Sequence, residues 1–310
     1  MRIVVALGGN ALLKRGEPMT ADNQRANVRR AAASLAPLFG DKHQLIITHG
    51  NGPQVGLLAL QAAAGPSEGA YPLDVLDAES EGMLGYLIEQ ELDNVLPAGH
   101  LFATLLTQIL VDHRDPAFRH PTKPIGPVYE KAMAERRALD CGWTIAKDGR
   151  GWRRVVPSPH PQKVLEARVI ELLIAQGVTV ICAGGGGIPV VERQDGSLAG
   201  VEAVIDKDLA SALLARQLGA DHLLLLTDVD GVYLDWGTPA AKLIARAGPT
   251  ALRPDEFASG SMRPKVEAVT GFVAETGRPA SIGRLEDAVR ILKGVTGTTI
   301  DVGFTGLSFR

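Results

Sequence analysis

The segment Ile3-Val4-Val5-Ala6-Leu7-Gly8-Gly9-Asn10 contains the pattern that decides the fold. Its apolar run predicts a buried strand, and the glycine pair that follows predicts a sharp turn out of the sheet. A helical period then covers residues 20–39, where Val28, Ala32 and Leu35 share one face. The order of strand, glycine loop and helix is the unit from which parallel sheets covered by helices are built.

The same order recurs along the chain. Further strands are predicted at 45–48, 103–111, 178–183 and 223–227, helices from Val55 onward and at 84–95, 162–176, 209–218 and 264–276, and two last elements at 288–293 and 298–302. This alternation predicts the α/β class, with an open αβα sandwich around a mostly parallel sheet. Ligands of such sheets bind beyond the carboxyl ends of the strands, where the glycine loops of this chain lie.

Residues 113–161 interrupt the alternation. Prolines crowd this stretch together with Gly126, Gly149 and Gly151, and no long periodic element is recognisable. Such a stretch is too long for a plain connection, so we expect a functional insertion or a protruding subdomain at about 115–160.

Composition excludes several classes of protein. Of the 310 residues 45% are hydrophobic and 22% are charged, and the net charge of -3 argues against a general nucleic-acid binder. Two cysteines are too few for a disulfide framework or a structural zinc site. The apolar runs are too short for a membrane span or a signal-peptide core, so a cytoplasmic protein without membrane contact is expected.

The first two glycine loops are candidate anion sites. Gly8-Gly9-Asn10 follows the first predicted strand and His49-Gly50-Asn51-Gly52-Pro53 follows the second, so both should lie at one edge of the sheet. Converging backbone N–H groups at such loops bind oxyanions. A single glycine pair is more often only a tight turn, and His49 is more simply explained as a hydrogen-bonded buried histidine.

A third loop, Gly184 to Gly187, has four consecutive glycines after a predicted strand. Four glycines cost backbone entropy and provide no side chain for packing, so another group must come close to this backbone. A ligand would explain the close approach, and a crowded strand crossing is the alternative.

Three lysines are the candidate charge-neutralising groups. None of the loops matches the Walker pattern or the dinucleotide fingerprint, so the lysines lie elsewhere, at Lys123, Lys207 and Lys265. Each alone would normally be a solvated surface charge. Lys207 is the exception, because Asp206 and Asp208 flank it at the start of a predicted helix, where acidic residues are favoured and can orient a lysine. Phosphoryl transfer requires mainly positioning and charge neutralisation, which lysines and backbone N–H groups supply.

Other chemistries have less support. The histidines lack the spacing of a metal site, and no G-x-S-x-G motif of an α/β hydrolase is present. The arginine-rich segment 149–154 could stack on RNA, but it is short and isolated, so an anion-binding or solvated loop is preferred.

Taken together, these segments resemble the amino-acid kinase superfamily, and within it the carbamate kinase branch, along almost the whole chain. The matching motifs lie at 8–12, 48–56, 122–127, 149–159, 184–190, 200–208 and 260–265. The resemblance implies one domain over 1–310, with an acceptor-binding part at 1–205, an inserted subdomain near 115–160 and a nucleotide-binding part at 206–310. It also implies a homodimer.

The resemblance further implies the reaction ATP plus carbamate, formed from NH3 and CO2, giving ADP and carbamoyl phosphate, without a covalent intermediate and with Mg²⁺ on the nucleotide. Many members of the branch make ATP in the reverse direction during arginine metabolism. One alternative is another acyl-phosphate kinase of the same fold, which the motifs at 122–127 and 149–159 oppose. The other is a non-catalytic nucleotide-binding regulator, which the presence of the three lysines and Asp208 opposes.

Site residues follow from the resemblance by position. Lys207 and Lys265 would neutralise the phosphoryl group, Asp208 would orient them, and Lys123 would reach in from the subdomain. The candidates for substrate and phosphate binding are Gly8, Gly9, Asn10, Gly50, Asn51, Gly52, Gly185 and Gly186. The candidates for nucleotide contact are Thr227, Asp228, Tyr233 and Met262, although Asp228 could equally cap a turn.

One position departs from the wider superfamily. Many relatives have a lysine two residues before the first glycine pair, where this chain has Ala6. The carbamate kinase branch resembles this chain in using a lysine of the inserted subdomain instead, so the departure favours that branch.

Overall fold

A computed structural model describes residues 1–14, 16–41, 43–64, 71–258 and 262–310, without the side chains of Asn10 and Asp41. The strands are β1 Arg2–Leu7, β2 Gln44–His49, β3 Leu101–Thr104, β4 Gln108–Val111, β5 Lys123–Tyr129, β6 Thr144–Asp148, β7 Gly151–Val156, β8 Pro161–Val164, β9 Val178–Ile181, β10 Ile188–Glu192, β11 Leu198–Gly200, β12 His222–Thr227, β13 Tyr233–Leu234, β14 Lys242–Ala247, β15 Ala280–Arg284, β16 Thr298–Ile300 and β17 Leu307–Phe309. The helices are α1 Gly9–Leu12, α2 Ala21–Leu35, α3 Gly52–Ala64, α4 Leu73–Val95, α5 Lys131–Cys141, α6 Ala167–Ala175, α7 Lys207–Gln217, α8 Met262–Thr276 and α9 Ala288–Leu292.

A large central sheet organises the molecule. Its strand order is β13-β14-β16-β15-β12-β1-β2-β9-β3, with β17 paired to β14. The pairs from β15 through β12, β1, β2 and β9 to β3 are all parallel. The carboxyl ends of these strands therefore lie at one edge, which confirms the predicted mostly parallel α/β sheet.

Both faces of this sheet are buried, as the first strand shows. Val4 and Ala6 belong to a core cluster that includes residues of α6, α7 and α8, whereas Ile3, Val5 and Leu7 belong to a cluster with residues of α2, α4 and α9. Alternate side chains of a strand point to opposite faces, so an uninterrupted apolar run is what a strand covered on both sides requires. The result is the expected αβα sandwich.

Two smaller sheets accompany the central one. Strands β11, β10, β4 and β8 form one sheet. Strands β5, β7 and β6 form the other, an antiparallel sheet within residues 123–156 that we call the inserted sheet. The second sheet packs against α3 at two glycines, because a Cβ atom added to Gly56 would lie 2.0 Å from the Cα atom of Gly126. Ile125 and Val156 complete a third core cluster at this contact.

Several sequence predictions need correction. The predicted strand at 103–111 is two strands in different sheets, because the chain leaves β3 after Thr104 and re-enters pairing at Gln108. The stretch at 113–161, where no long periodic element was expected, contains the 11-residue helix α5. The helix predicted from residue 162 begins at Ala167, since Pro161–Val164 forms β8. In the described ranges no helix is both long enough and apolar enough to cross a membrane.

Candidate active site

Two glycine loops meet at the carboxyl edge of the central sheet. The Gly8 N–H donates to the carbonyl of Leu226 over 2.8 Å, and the Gly50 N–H donates to the carbonyl of Leu7 over 3.1 Å. A Cβ atom on Gly50 would lie 3.1 Å from the Gly9 nitrogen and 3.4 Å from Cδ of Lys207. A side chain at Gly50 would therefore need the Gly9 backbone to move by a few tenths of an ångström.

The four-glycine loop packs against the second of these loops. Gly185 has a φ of 71°, and a Cβ atom there would lie 2.1 Å from Nδ2 of Asn51. At Gly184 a Cβ atom would lie 2.3 Å from the His49 ring. The groups that come close to Gly184 and Gly185 are therefore protein side chains. This agrees with the crowded crossing that was expected as the alternative to a ligand. Gly186 packs in the same way against Ile205.

Lys207, Asp208 and Lys265 form one ion cluster. The Lys207 ammonium contacts one oxygen of Asp208, and the Lys265 ammonium lies 2.7 Å from the other. The side chains are 10%, 5% and 13% exposed respectively, so the three charges sit almost fully out of water. With two positive charges and one negative, this lysine cluster has a net charge of +1 beside the glycine loops.

Burial and pairing together shift the pKa values of the lysine cluster. Burial alone would raise the pKa of Asp208, but the ammonium groups of Lys207 and Lys265 outweigh it and hold that pKa well below its usual range. Burial would lower the pKa of Lys265, yet the Asp208 carboxylate raises it. For Lys207 the effect of burial is larger than that of Asp208. Burial, together with repulsion from Lys265, lowers the pKa of Lys207 to about 8, although the Asp208 carboxylate raises it.

A second ion pair holds the inserted sheet beside the lysine cluster. Nζ of Lys123, the first residue of β5, lies 2.5 Å from Oδ2 of Asp206. The other oxygen of Asp206 caps helix α7 by accepting the N–H groups of Asp208 and Leu209 at 2.9 and 3.4 Å. Burial would raise the pKa of Asp206, but Lys123 lowers it, so the carboxylate stays ionised.

A group of buried polar residues lies behind the glycine loops, and sequence reasoning missed most of it. Asp77, Ser80 and Glu81 are at most 1% exposed, and they surround Asn51 and Gly184. The signal in the sequence is polar residues at i, i+3 and i+4 on the apolar face of α4. Burial raises the pKa of Asp77 well above its usual range and that of Glu81 to about 8.

His49 is buried, as expected for a core histidine. Burial lowers the pKa of its imidazole to about 4, so the ring is neutral. Its Nδ1 atom lies 3.3 Å from the Gly50 carbonyl oxygen, whereas its Nε2 atom has no hydrogen-bond partner within the described ranges.

The candidate nucleotide residues lie in three segments, at the end of β12, in β13 and at the start of α8. Thr227 ends β12 and donates a hydrogen bond to Asp228, whose charge raises the pKa of Lys265. Tyr233 donates to Asp230 over 3.3 Å and packs its ring 4.9 Å from that of Trp236. Met262 starts α8 and packs against the larger core cluster.

Fewer contacts are described for the remaining predicted positions. Gly52 starts α3, and an added Cβ atom there would meet no atom within 4 Å. The Asn10 side chain, Gly260 and Ser261 lie outside the described residues.

The two carboxylates beside the lysines, those of Asp206 and Asp208, contact ammonium groups. Both oxygens of Asp208 contact lysines, and one oxygen of Asp206 does. Among the residues the structure describes, no three His, Cys, Asp or Glu side chains are grouped as metal ligands.

Comparison with known proteins gives consistent matches. The Amino acid kinase family profile matches residues 1–284. The carbamate kinase of Haemophilus influenzae is 56% identical over 309 residues, covering 100% of this chain and 99% of the relative. The structure of the Giardia lamblia carbamate kinase bound to citric acid superposes with a TM-score of 0.90 at 42% identity, over 97% of this chain and 98% of that one. The same Giardia enzyme bound to AMP-PNP gives a TM-score of 0.85 at 43% identity with the same coverage.

Proposed function

The chain belongs to the amino acid kinase family and is a phosphotransferase of the carbamate kinase class, and from that premise we propose how its residues carry the reaction. ATP and ADP are its nucleotide substrates. In the forward direction a carbamate oxygen attacks the γ-phosphorus of ATP, the bond from that phosphorus to the bridging oxygen breaks, and ADP leaves. The reverse reaction moves the phosphoryl group of carbamoyl phosphate to ADP.

The observation that carries the proposal is the lysine cluster. Two buried ammonium groups share the Asp208 carboxylate, and the stem of Lys207 lies against Gly50. A transferring phosphoryl group needs positive charge at its equatorial oxygens and in-line positioning rather than a protein nucleophile. Lys207 and Lys265 therefore neutralise the phosphoryl group, and Asp208 holds both ammonium groups in place.

Backbone groups complete the proposed site. The loops at Gly8, Gly9 and Gly50 surround the acceptor and the moving phosphoryl group, with Asn10, Gly52 and the 185–186 backbone around them. The N–H groups of Gly8 and Gly50 bind the carbonyls of Leu226 and Leu7 and so fix the loops, and the Gly9 N–H is the proposed backbone donor to the substrate. Asn51 acts through the backbone it fixes, since its amide nitrogen donates to Asp77 and Ser80. Lys123 supplies a further positive charge from the inserted sheet.

The nucleotide is proposed to lie on the part formed by residues 206–310, with 1–205 holding the acceptor and 115–160 forming the inserted subdomain. Thr227, Asp228, Tyr233 and Met262 are the proposed contacts, and Mg²⁺ arrives on the phosphates. The Giardia carbamate kinase that binds AMP-PNP supports nucleotide binding by this fold.

We also propose a homodimer in the cytoplasm. Strand β3 is the edge strand of the central sheet, and its Leu101 is 58% exposed. Leu106, in the segment after β3, is 51% exposed, and Tyr86, on helix α4 beside β3, is 53% exposed. Apolar side chains around a sheet edge are what a second copy would cover. Sedimentation equilibrium tests this, and a monomer at micromolar concentration would contradict it.

A choice among acyl phosphates tests the proposed substrate. ATP formation from MgADP is measured with carbamoyl phosphate, acetyl phosphate and N-acetylglutamyl phosphate in parallel. We expect a strong preference for carbamoyl phosphate. Equal use of acetyl phosphate would favour another acyl-phosphate kinase, and nucleotide binding without turnover would favour a regulator.

A further inference from the structure

Helix α4 presents three polar side chains to the back of the active site. Asp77, Ser80 and Glu81 lie at i, i+3 and i+4, on the face that also buries Leu76 and Leu84. Burying polar groups in an apolar face is costly unless they are hydrogen-bonded. Their contacts therefore show what this face of the helix holds.

Asp77 and Ser80 hold the Asn51 amide. Nδ2 of Asn51 donates to Oδ1 of Asp77 over 3.0 Å and to Oγ of Ser80 over 2.8 Å. The Ser80 hydroxyl donates in turn to the Asp77 carbonyl at 2.9 Å. Asn51 is 2% exposed, so water contributes little to holding its amide.

Glu81 holds the neighbouring loop. One of its oxygens accepts the Gly184 N–H at 2.8 Å, and the other accepts the Thr107 N–H at 3.1 Å. The four-glycine loop is thereby fixed to the same helix as Asn51. The Asn51 amide then fits against Gly185, where a Cβ atom would force the amide to shift.

A continuous path of contacts connects Asp77 with the lysine cluster. Asp77 binds the Asn51 side chain, Asn51 follows Gly50 directly in the chain, and Gly50 lies against Gly9 and the stem of Lys207. A shift of Asn51 would change the spacing between the Gly50 backbone and Lys207. Displacements of about 1 Å at such groups cost on the order of a hundredfold in rate.

We propose that Asp77 is a positioning residue for phosphoryl transfer, which fixes the Gly50–Gly52 backbone through the Asn51 amide. The proposal rests on the function proposed above. Asp77 acts as a hydrogen-bond acceptor in this role, so the carbonyl oxygen of an asparagine serves equally well. The role concerns the transfer step and leaves nucleotide binding unchanged.

The test compares Asp77→Ala, Asp77→Asn and a matched control on the same helix. The control is Glu91→Ala, because Glu91 is 2% exposed and accepts bonds from Arg29, away from the glycine loops. For Asp77→Ala we expect kcat to fall about tenfold or more with an unchanged KM for MgADP. A tenfold fall in rate corresponds to about 1.4 kcal/mol, which is the scale of one lost hydrogen bond. Asp77→Asn should keep kcat within about threefold of wild type, and Glu91→Ala should leave kcat unchanged.

Amide hydrogen exchange gives a readout independent of turnover. Asp77→Ala should exchange faster at 49–52, whereas Glu91→Ala should not. If Asp77→Ala does not fold, Ser80→Ala removes the other acceptor and should lower kcat several-fold while accelerating the same exchange.

Two results would overturn the proposal. One is a folded Asp77→Ala variant with wild-type kcat and unchanged exchange at 49–52; the other is an Asp77→Asn variant as impaired as Asp77→Ala. A wild-type protein without carbamoyl phosphate turnover would contradict the proposed function alone, because faster exchange in Asp77→Ala would still support the positioning of Asn51.

Discussion

Nζ of Lys123 lies 2.5 Å from Oδ2 of Asp206. Lys123 begins the inserted sheet, and Asp206 caps the helix whose first residue is Lys207. The position of the inserted sheet is therefore coupled to the start of the helix that carries the lysine cluster. A bound phosphate would compete with Asp206 for the Lys123 ammonium.

Removing this ion pair should loosen the inserted sheet. For Lys123→Ala we expect a KM for carbamoyl phosphate about tenfold higher, because one charged contact to the substrate is lost. Hydrogen exchange in 123–129 and 144–156 should also become faster. Exposed Lys163 on β8 provides the control, and Lys163→Ala should change neither quantity.

The same segment is expected to act as a mobile lid over the acceptor. Substrates should then slow hydrogen exchange across 115–160 in the wild-type protein, as a closing lid excludes water. Equal exchange in that segment with and without MgADP and carbamoyl phosphate would contradict a lid.

The reaction should slow above pH 8. Burial lowers the pKa of Lys207 to about 8, and the proposed role needs the ammonium form. Below that pH Lys207 is charged, and above it kcat/KM should fall about tenfold per pH unit, since kcat/KM reports ionisations of the free enzyme. A pH profile checks this, with Lys207→Arg as the control whose decline near pH 8 should disappear. A flat wild-type profile up to pH 9.5 would contradict the assignment.

Gly185 should tolerate alanine poorly. Gly185→Ala combines a positive φ of 71° with a Cβ atom 2.1 Å from the Asn51 amide. We expect a loss of about 2 kcal/mol or more in the free energy of unfolding, measured by urea titration. The matched control is Gly177→Ala, which has a φ of 79° and no atom within 4 Å of the new Cβ atom, and should lose about 1 kcal/mol. Equal losses would mean that the Asn51 contact is unimportant.

The sequence predicted the central sheet because its strands have the strongest patterns. Strands such as β1, β2 and β12 are largely apolar on both faces. Each is followed directly by a residue typical of turns, which are Gly8, Gly50 and Asp228. The sequence also indicated that Asp206 and Asp208 flank Lys207 at the start of a helix, because acidic residues are favoured at helix N-termini.

Other parts lacked such signals. Strand β15 contains Ser281 and Gly283, and strand β10 contains Pro189, so neither looked like a strand although β15 lies within the central sheet. The inserted sheet is only partly buried in β5 and β6, which weakens the alternation of apolar residues. The contact of Lys265 with Asp208 spans 57 residues and depends on packing of α8 against α7.

The buried acids were missed for a different reason. Asp77 and Glu81 look like ordinary charged positions of a solvated helix face, because acidic residues are rarely buried. Only the packing of α4 against the four-glycine loop reveals their partners.

Formation of ATP from MgADP and carbamoyl phosphate, compared between the wild-type protein, Lys207→Ala and the exposed control Lys163→Ala, tests the central claim most directly. We predict rapid ATP formation by the wild type and the control. For Lys207→Ala we predict a rate reduced by about a hundredfold or more, the loss expected when one preorganised donor to transition-state charge is removed. A folded Lys207→Ala variant with a near-normal rate would contradict the claim that the lysine cluster neutralises the moving phosphoryl group.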